Sequence, residues 1–512
     1  MSVMESVDAQ KPHVISGRTI ARNTFLNIIG RCIPLVTALF TIPLLIQGFG
    51  TERYGLLTLF WIVIGYFGLL DMGIGRTTTK FVADRLASNH VEGLPRLVWT
   101  SWALLMGLGV LAGVILVAMV PVLVSHVLNV PQDLREETAA SFYWLAGFMP
   151  FALSIAGMQG VLEAQQRFDI INGIQIPAAI IGYIIPLVVL RYTQDLSVVI
   201  VALLVSRTIV WSAFLSCCLR SIPLLRHRPS LSSRYVKDLL CFGGWLTVSN
   251  IVSPLMVYTD RFLIGALLTL SAVAYYTTPY SMVTQLWVIP GSLMPVLFPT
   301  FSHLVAQRNA AYALLYRRAV KYIFLAMMPL AVALIVLADD LMSLWVGAEF
   351  ASHSAPVLAL LALGVLINSL AQVPFGLIQA AGRPDVTARF HLLEVLPYFA
   401  LVWWGIATYG IVGAALAWVT RVAVDAVLLF WFADRLLPDE DRGVAFVVML
   451  PPITAALYGV TAAATWPMGN GMARGAMTVV IMGVAAVSAW RLWLSPGEKA
   501  WIMQSKTRIL CS

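Results

Sequence analysis

Sixty per cent of the 512 residues are apolar, only 11% are charged, and the mean hydropathy is +0.85. A water-soluble domain carries charge on about a quarter of its residues, so this composition excludes a chain solvated mainly by water and points to one embedded in lipid. The net charge of +8 would suggest nucleic acid in a soluble protein; here it is spread along the chain as membrane topology requires, and no nucleic-acid partner is expected.

Residues 1–23 form a largely polar leading segment, and no small-x-small cleavage site follows the first apolar run, so this is not a signal peptide. Apolar runs of about 20 residues then recur along the chain. Six are expected at 24–47, 54–75, 98–123, 141–162, 173–191 and 196–219, making an N-terminal bundle over 24–219. The external stretch "SHVLNVPQDLREETAAS" reads as a short surface helix, with Pro131 ahead of Asp133, Glu136 and Glu137. A basic linker at 220–241 leads to six more spans at 242–266, 274–299, 319–339, 354–378, 390–409 and 412–433, a second bundle over 242–433. A linker at 434–443, two additional spans at 444–464 and 475–494, and a tail at 495–512 complete the chain.

Charge tests the count. With the N-terminus inside, four of the 33 Lys and Arg lie outside (Arg53, Arg135, Arg191, Arg474), four lie within spans, and the rest are cytoplasmic. That is the positive-inside asymmetry, and it gives about fourteen spans with both termini cytoplasmic. No segment between spans is long enough for a soluble catalytic or nucleotide-binding domain. The five cysteines (Cys32, Cys217, Cys218, Cys241, Cys511) lack CxxC spacing and read as small buried side chains, not a zinc site.

One short phrase is written twice. "GVLEAQQRFDI" begins at Gly160 and "GLIQAAGRPDV" at Gly376, sharing Gly160/Gly376, Ala164/Ala380, Arg167/Arg383 and Asp169/Asp385 at a constant spacing of 216. One copy follows the fourth span and the other the tenth, both on the cytoplasmic side. Six spans separate them, so the halves share one orientation: a parallel repeat about an axis along the membrane normal. Two six-helix halves imply a cleft and alternating access. The phrase itself reads as a tight basic turn.

The stretches "NIIGRCIPLVTALFTIPLLIQGFGTERYGLLTLFWIVIGYFGLLDMGIG", "SNIVSPLMVYTDRFLIGALLTLSAVAYYTTPY", "LMSLWVGAEFASHSAPVL" and "YGIVGAALAWVTRVAVDAVLL" together resemble the Wzx-type polysaccharide flippases of the multidrug/oligosaccharidyl-lipid/polysaccharide exporter superfamily. The resemblance implies an all-α membrane protein of two six-helix bundles plus two C-terminal helices, with a MATE-like V-shaped cavity. It further implies a flippase, not an enzyme, that carries undecaprenyl-pyrophosphate-linked oligosaccharide across a bacterial plasma membrane without metal or nucleotide, for surface polysaccharide synthesis. Its partners would be that lipid-linked cargo, membrane lipids, and a polysaccharide polymerase and chain-length regulator.

Charges inside spans cost roughly 2.5–3.5 kcal/mol each at the midplane and usually face a protein interior or a water-filled cavity. The guanidinium groups of Arg31, Arg207, Arg261 and Arg421 suit a pyrophosphate, because forked donors bind phosphate oxygens bidentately; they are the candidate substrate contacts. Asp71, Asp260, Glu394 and Asp425 are candidates for ion coupling or charge pairing. Arg421 and Asp425, four apart, can neutralise each other, whereas the neighbours Asp260 and Arg261 point in different directions and are not expected to pair. Asn27, Asn250, Gln285, Asn368 and Gln372 could line a sugar path or bond neighbouring helices. The run "YYTTPYSMVTQLW" reads first as an interfacial belt and second as a sugar-stacking surface. Two alternatives stand beside the flippase. A multidrug antiporter of the same superfamily would favour carboxylates in its lumen, and a membrane polysaccharide polymerase or ligase would carry a large external catalytic loop.

Overall fold

The computed structural model describes residues 17–438 apart from 68–70, 72, 88–92, 166, 227–230, 233–234, 237–238, 240–255, 257 and 308–310. The two additional spans at 444–464 and 475–494, the tail, part of the linker before span seven and most of span seven itself lie outside these. Among the described residues the regular elements are all helices, and seven of them are long and apolar enough to cross a membrane.

The helices are α1 (Gly17–Phe67), α2 (Ile74–Ala87), α3 (Leu94–Val122), α4 (Arg135–Ala164), α5 (Phe168–Leu190) and α6 (Leu196–Ser221). They are followed by α7 (258–267), α8 (Leu270–Thr284), α9 (Val288–Ala306), α10 (Ala311–Val336), α11 (Ala338–Val346), α12 (Ala348–Ala380) and α13 (Pro384–Leu436). Two of these are interrupted at a glycine, where the backbone leaves the helical region. Gly50 in α1 has φ 76° and Gly410 in α13 has φ 61°, a conformation that side chains with a Cβ resist. The expected spans one and two, and eleven and twelve, are therefore pairs of arms meeting at a glycine.

Two compact units result. Unit 1 comprises the chain to Phe49, Phe60–His126 and Pro131–Ile251; unit 2 comprises Gly50–Leu59, Val127–Val130 and the chain from Val252 onward.

In unit 1, α4 is the central helix. Gly109 and Gly113 of α3 sit so close to it that an added Cβ would meet backbone atoms of Ala146 and Met149. On its other side, a Cβ on Gly160 would lie 2.6 Å from the Gly75 carbonyl of α2. Trp211 of α6 donates to Ser154 of α4 at 2.7 Å. The start of α4 also departs from expectation. Glu136 and Glu137 form its own first turn, so the predicted surface helix is the N-terminal end of a helix long and apolar enough to span a membrane. Carboxylates there complement the exposed amide end of the helix, which allows the helix to run on past the apolar segment.

In unit 2, the junction between α7 and α8 is tied by side chains. Asn129 Nδ2 donates to the Ala266 and Leu268 carbonyls at 3.0 and 2.7 Å, closing the free end of α7. Thr269 caps α8 by accepting from the Ala272 amide at 3.1 Å. Within the unit α12 runs through the core, packing on α8, α9, α10 and α13.

The repeated phrase builds one device in each unit. In unit 1 the Arg167 amide donates to the Leu162 carbonyl at 2.9 Å, and its guanidinium forks onto Asp169 at 3.0 and 3.1 Å. In unit 2 the Arg383 amide donates to the Ile378 carbonyl at 3.1 Å, and its guanidinium forks onto Asp385 at 3.1 and 3.3 Å. Each ends one helix and starts the next, with the aspartate in the new helix's first turn. The glycines of the phrase admit a neighbour, Gly160 the α2 backbone and Gly376 the flexible end of Met294.

These contacts rank three substitutions. Gly160→Val should lower the melting temperature most, by an overpacking cost of about 1–3 kcal/mol, because a carbonyl in a helix cannot step aside. Gly376→Val should cost less, since Met294 can re-orient. Gly147→Val, with open space around it, should change little. Thermal unfolding in detergent checks the order, and equal losses at Gly160 and Gly147 would overturn the packing account.

Candidate functional site

Unit 2 contains two linked clusters of polar side chains. The first is built on α7 and α8. Asp260 and Arg261 are 0% and 1% exposed, the deepest charges among the described residues. Contrary to the sequence expectation, they pair. Arg261 Nη1 lies 3.4 Å from Asp260 Oδ1, and the Arg261 amide donates to the same oxygen at 2.8 Å. Neighbouring helical side chains diverge by about 100°, but the arginine stem is long enough to curl back. It is held there by rings, with Tyr280 3.9 Å and Tyr258 5.3 Å from the guanidinium carbon. The Tyr276 hydroxyl donates to Asp260 Oδ2 at 2.6 Å. Tyr276 and Tyr280, one turn apart on α8, are buried inside the unit and are not the interfacial belt their sequence suggested.

The second cluster is built on the two arms of α13. Glu394 precedes Gly410 by 16 residues and Asp425 follows it by 15, so the two reach a similar depth, roughly 24 and 23 Å from the break at 1.5 Å per residue. Arg421 sits about 16 Å from it and extends to Glu394, with Nη1 3.6 Å from Oε2. Its partner is thus a residue of the other arm, in place of Asp425 on its own helix. Back-folding at Gly410 is the reason. It brings the opposite arm closer than the i, i+4 neighbour can reach once both side chains face inward. The Tyr398 ring lies 5.3 Å from the Arg421 guanidinium carbon. The Asp425 carboxyl adjoins Glu394 and faces His391.

Beside this cluster is a cavity of about 230 Å³. Four residues of one α12 face line it: Asn368, Ala371, Gln372 and Phe375, at i, i+3, i+4 and i+7. From α13 come Trp418, Arg421, Asp425 and Leu429 on one stripe, with His391 from the other arm. Trp287, from the 3₁₀ turn Gln285–Trp287, completes the wall. Phe375 and His391 stack at 6.2 Å. Several buried polar atoms around it have no hydrogen-bond partner among the described residues: both indole N–H groups (Trp287, Trp418), Arg421 Nε and Asp425 Oδ1.

The remaining candidates lie elsewhere. Asp71 is a helix cap. Its carboxylate accepts from the Gly73 and Gly75 amides at 2.9 and 3.0 Å, at the start of α2. Span two, expected to run unbroken to residue 75, is interrupted there: α1 ends at Phe67 and the chain turns at Gly73, φ 68°. Arg207 is half-buried on α6 in unit 1, with no hydrogen-bond or ion-pair partner among the described residues. Arg31 lies on α1 with its side chain outside the described residues.

Multi-span helical units, one of them with charge clusters held in its interior, define a multi-pass membrane protein. The solved structures agree on the fold. The chain superposes on the lipid II flippase MurJ in an inward closed conformation with TM-score 0.69, at 12% identity over 92% of this chain and 99% of that one. It superposes on an inward-facing MATE-family multidrug transporter with TM-score 0.67, at 15% identity over 79% and 97%. By sequence, residues 49–355 match the family of polysaccharide biosynthesis proteins, to which the chain belongs. It is 29% identical to a Shigella flexneri protein assigned as an O-antigen transporter, over 82% of this chain and 98% of that one.

Sequence reasoning missed Tyr398, Trp418 and His391, and it read the run holding Tyr276, Tyr280 and Trp287 first as an interfacial belt. The i, i+4 spacing of Tyr276 and Tyr280 shows that they share a face, but not whether that face meets lipid or protein.

The Asp260–Arg261 pair yields a double-mutant prediction. Arg261→Ala alone leaves a buried carboxylate unpaired and should destabilise by about 3–5 kcal/mol. The double variant Asp260→Leu/Arg261→Met removes both charges and should recover much of that loss. Thermal unfolding of both in detergent measures it; a double variant as unstable as the single would show that the pair is not what the rings enclose.

Proposed function

We propose that the protein is a flippase for undecaprenyl-pyrophosphate-linked oligosaccharide, moving it by alternating access from the cytoplasmic to the outer leaflet of a bacterial plasma membrane. The observation that carries this reading is family membership over most of the chain together with the near full-length match to the Shigella flexneri relative. Both termini lie on the cytoplasmic side, as the charge asymmetry indicates. A polymerase and a chain-length regulator act on the delivered cargo.

The four arginines divide by their surroundings. Arg261 and Arg421 are neutralised by Asp260 and Glu394, so neither offers a free positive charge. Arg207 does, and it is the residue we assign to the pyrophosphate; Arg31 remains a second contact on the strength of its sequence position. Glu394 and Asp425 form the ion-coupling candidate, because adjoining carboxylates repel unless a proton or metal cation lies between them. One observation favours the antiporter reading instead: carboxylates outnumber cations around the cavity of unit 2.

Deletion and rescue in the host cell separate these readings. Loss of the gene should abolish surface polysaccharide and leave lipid-linked intermediates facing the cytoplasm. Arg207→Ala should then rescue export at least about tenfold less well than wild type, the worth of one charge-assisted hydrogen bond. Arg207→Lys should fall between the two. Intact polysaccharide with altered drug sensitivity on deletion would overturn the flippase reading in favour of the antiporter.

A further inference from the structure

The cavity of unit 2 has a shape and chemistry that the pyrophosphate reading leaves unused. We propose that it is a subsite for one uncharged sugar ring of the cargo, read by Asn368, Gln372, Asp425, Trp287 and Trp418. The inference rests on the flippase reading and adds which part of the cargo this unit recognises.

Charge argues first. Arg421 faces the cavity, but Glu394 lies 3.6 Å behind it and Asp425 beside it. Two carboxylates oppose one guanidinium and the His391 imidazole, so the fixed charges sum to no more than neutral. A pyrophosphate or a uronic acid gains nothing here, whereas a ring bearing only hydroxyls loses nothing.

Size argues second. A volume of about 230 Å³ is below the roughly 300–1,000 Å³ of sites for drug-sized ligands. It suits a single ring and is too small for a repeat unit or a prenyl chain, and its polar lining is wrong for the latter.

The unpaired polar atoms argue third. Buried donors and acceptors without partners cost about 1–3 kcal/mol each. Two indole N–H donors, Arg421 Nε and the acceptor Asp425 Oδ1 stand unpaired around one cavity, and Trp418 is only 1% exposed. Asn368 and Gln372, one turn apart on α12, each add an amide with both donor and acceptor. A sugar presents that mixture: hydroxyls that donate and accept around its rim, and an apolar C–H face that can lie against the half-buried Trp287 ring. Water can also satisfy such a lining, and the experiment separates the two occupants.

The test uses the full-length protein in detergent and native mass spectrometry, with two probes: lipid-linked oligosaccharide extracted from the host cell, and sugar-free undecaprenyl pyrophosphate. Wild type should bind the glycan-bearing lipid at least about tenfold more tightly than the bare carrier. In Asn368→Ala/Gln372→Ala that preference should disappear, with affinity for the bare carrier unchanged. Asn368→Ser/Gln372→Ser, which retains short hydrogen-bonding groups, should recover part of it. Equal weakening of both probes would place the pyrophosphate in this cavity and overturn the proposal. An unchanged preference would leave the cavity to water and overturn it as well. If wild type binds neither probe, the flippase reading fails instead. Unfolding temperatures of the variants within a few degrees of wild type keep misfolding from imitating the expected result.

Discussion

A charge inside a membrane bundle must find its opposite, and this requirement organises unit 2. Asp260 and Arg261 are almost wholly removed from solvent, where an unpaired ion costs several kcal/mol. Their pairing requires the arginine to fold back along its own helix, and rings are needed to hold it there. Tyr258, Tyr276 and Tyr280 supply those rings. Tyr280 in turn meets Trp418 edge-on at 5.8 Å, so the ion pair of α7 positions the wall of the cavity on α13. The reversal at Gly410 serves the same requirement for Arg421, by bringing Glu394 of the opposite arm into range.

Much of the architecture was legible because it follows from local rules. Apolar runs of membrane length, a basic bias on one side and a repeated phrase are properties of contiguous sequence. The reversal between spans eleven and twelve, now placed at Gly410, and the turns at the repeated phrase fell where those rules put them. The site was less legible because it depends on which helix faces meet. Arg421 and Asp425 share a stripe at i, i+4, and the sequence offers that pairing. The true partner, Glu394, is 27 residues away and arrives only through the fold. The tyrosines show the same limit. An amphipathic ring suits a lipid interface or a buried cation equally well, and only tertiary packing decides between them.

The constant spacing of 216 allows one more comparison, between the interiors of the two halves. In that register Gly410 corresponds to Gln194, which lies in the turn between α5 and α6, so the alignment extends through the sixth span of each half. The clamps match residue for residue: Arg167 with Arg383, and Asp169 with Asp385. The interior charges do not. Arg421 and Asp425 correspond to Val205 and Ile209, both exposed and apolar, while Arg207 corresponds to Ala423. Across this register the device that turns the chain is kept, and the chemistry held between the turns is not.

That divergence has a physical rationale if the cargo has two unlike ends. A symmetric pair of bundles would offer each part of the cargo the same surface twice and could not orient it. One half with an unpaired guanidinium and another with a neutralised, aromatic and amide-lined cavity offers two different surfaces. A pyrophosphate favours the first by charge, and a hydroxylated ring favours the second by hydrogen bonding and ring contact. Discrimination between such surfaces requires the arginines of unit 2 to stay paired, because a free guanidinium there would restore the symmetry that the sequence has abandoned.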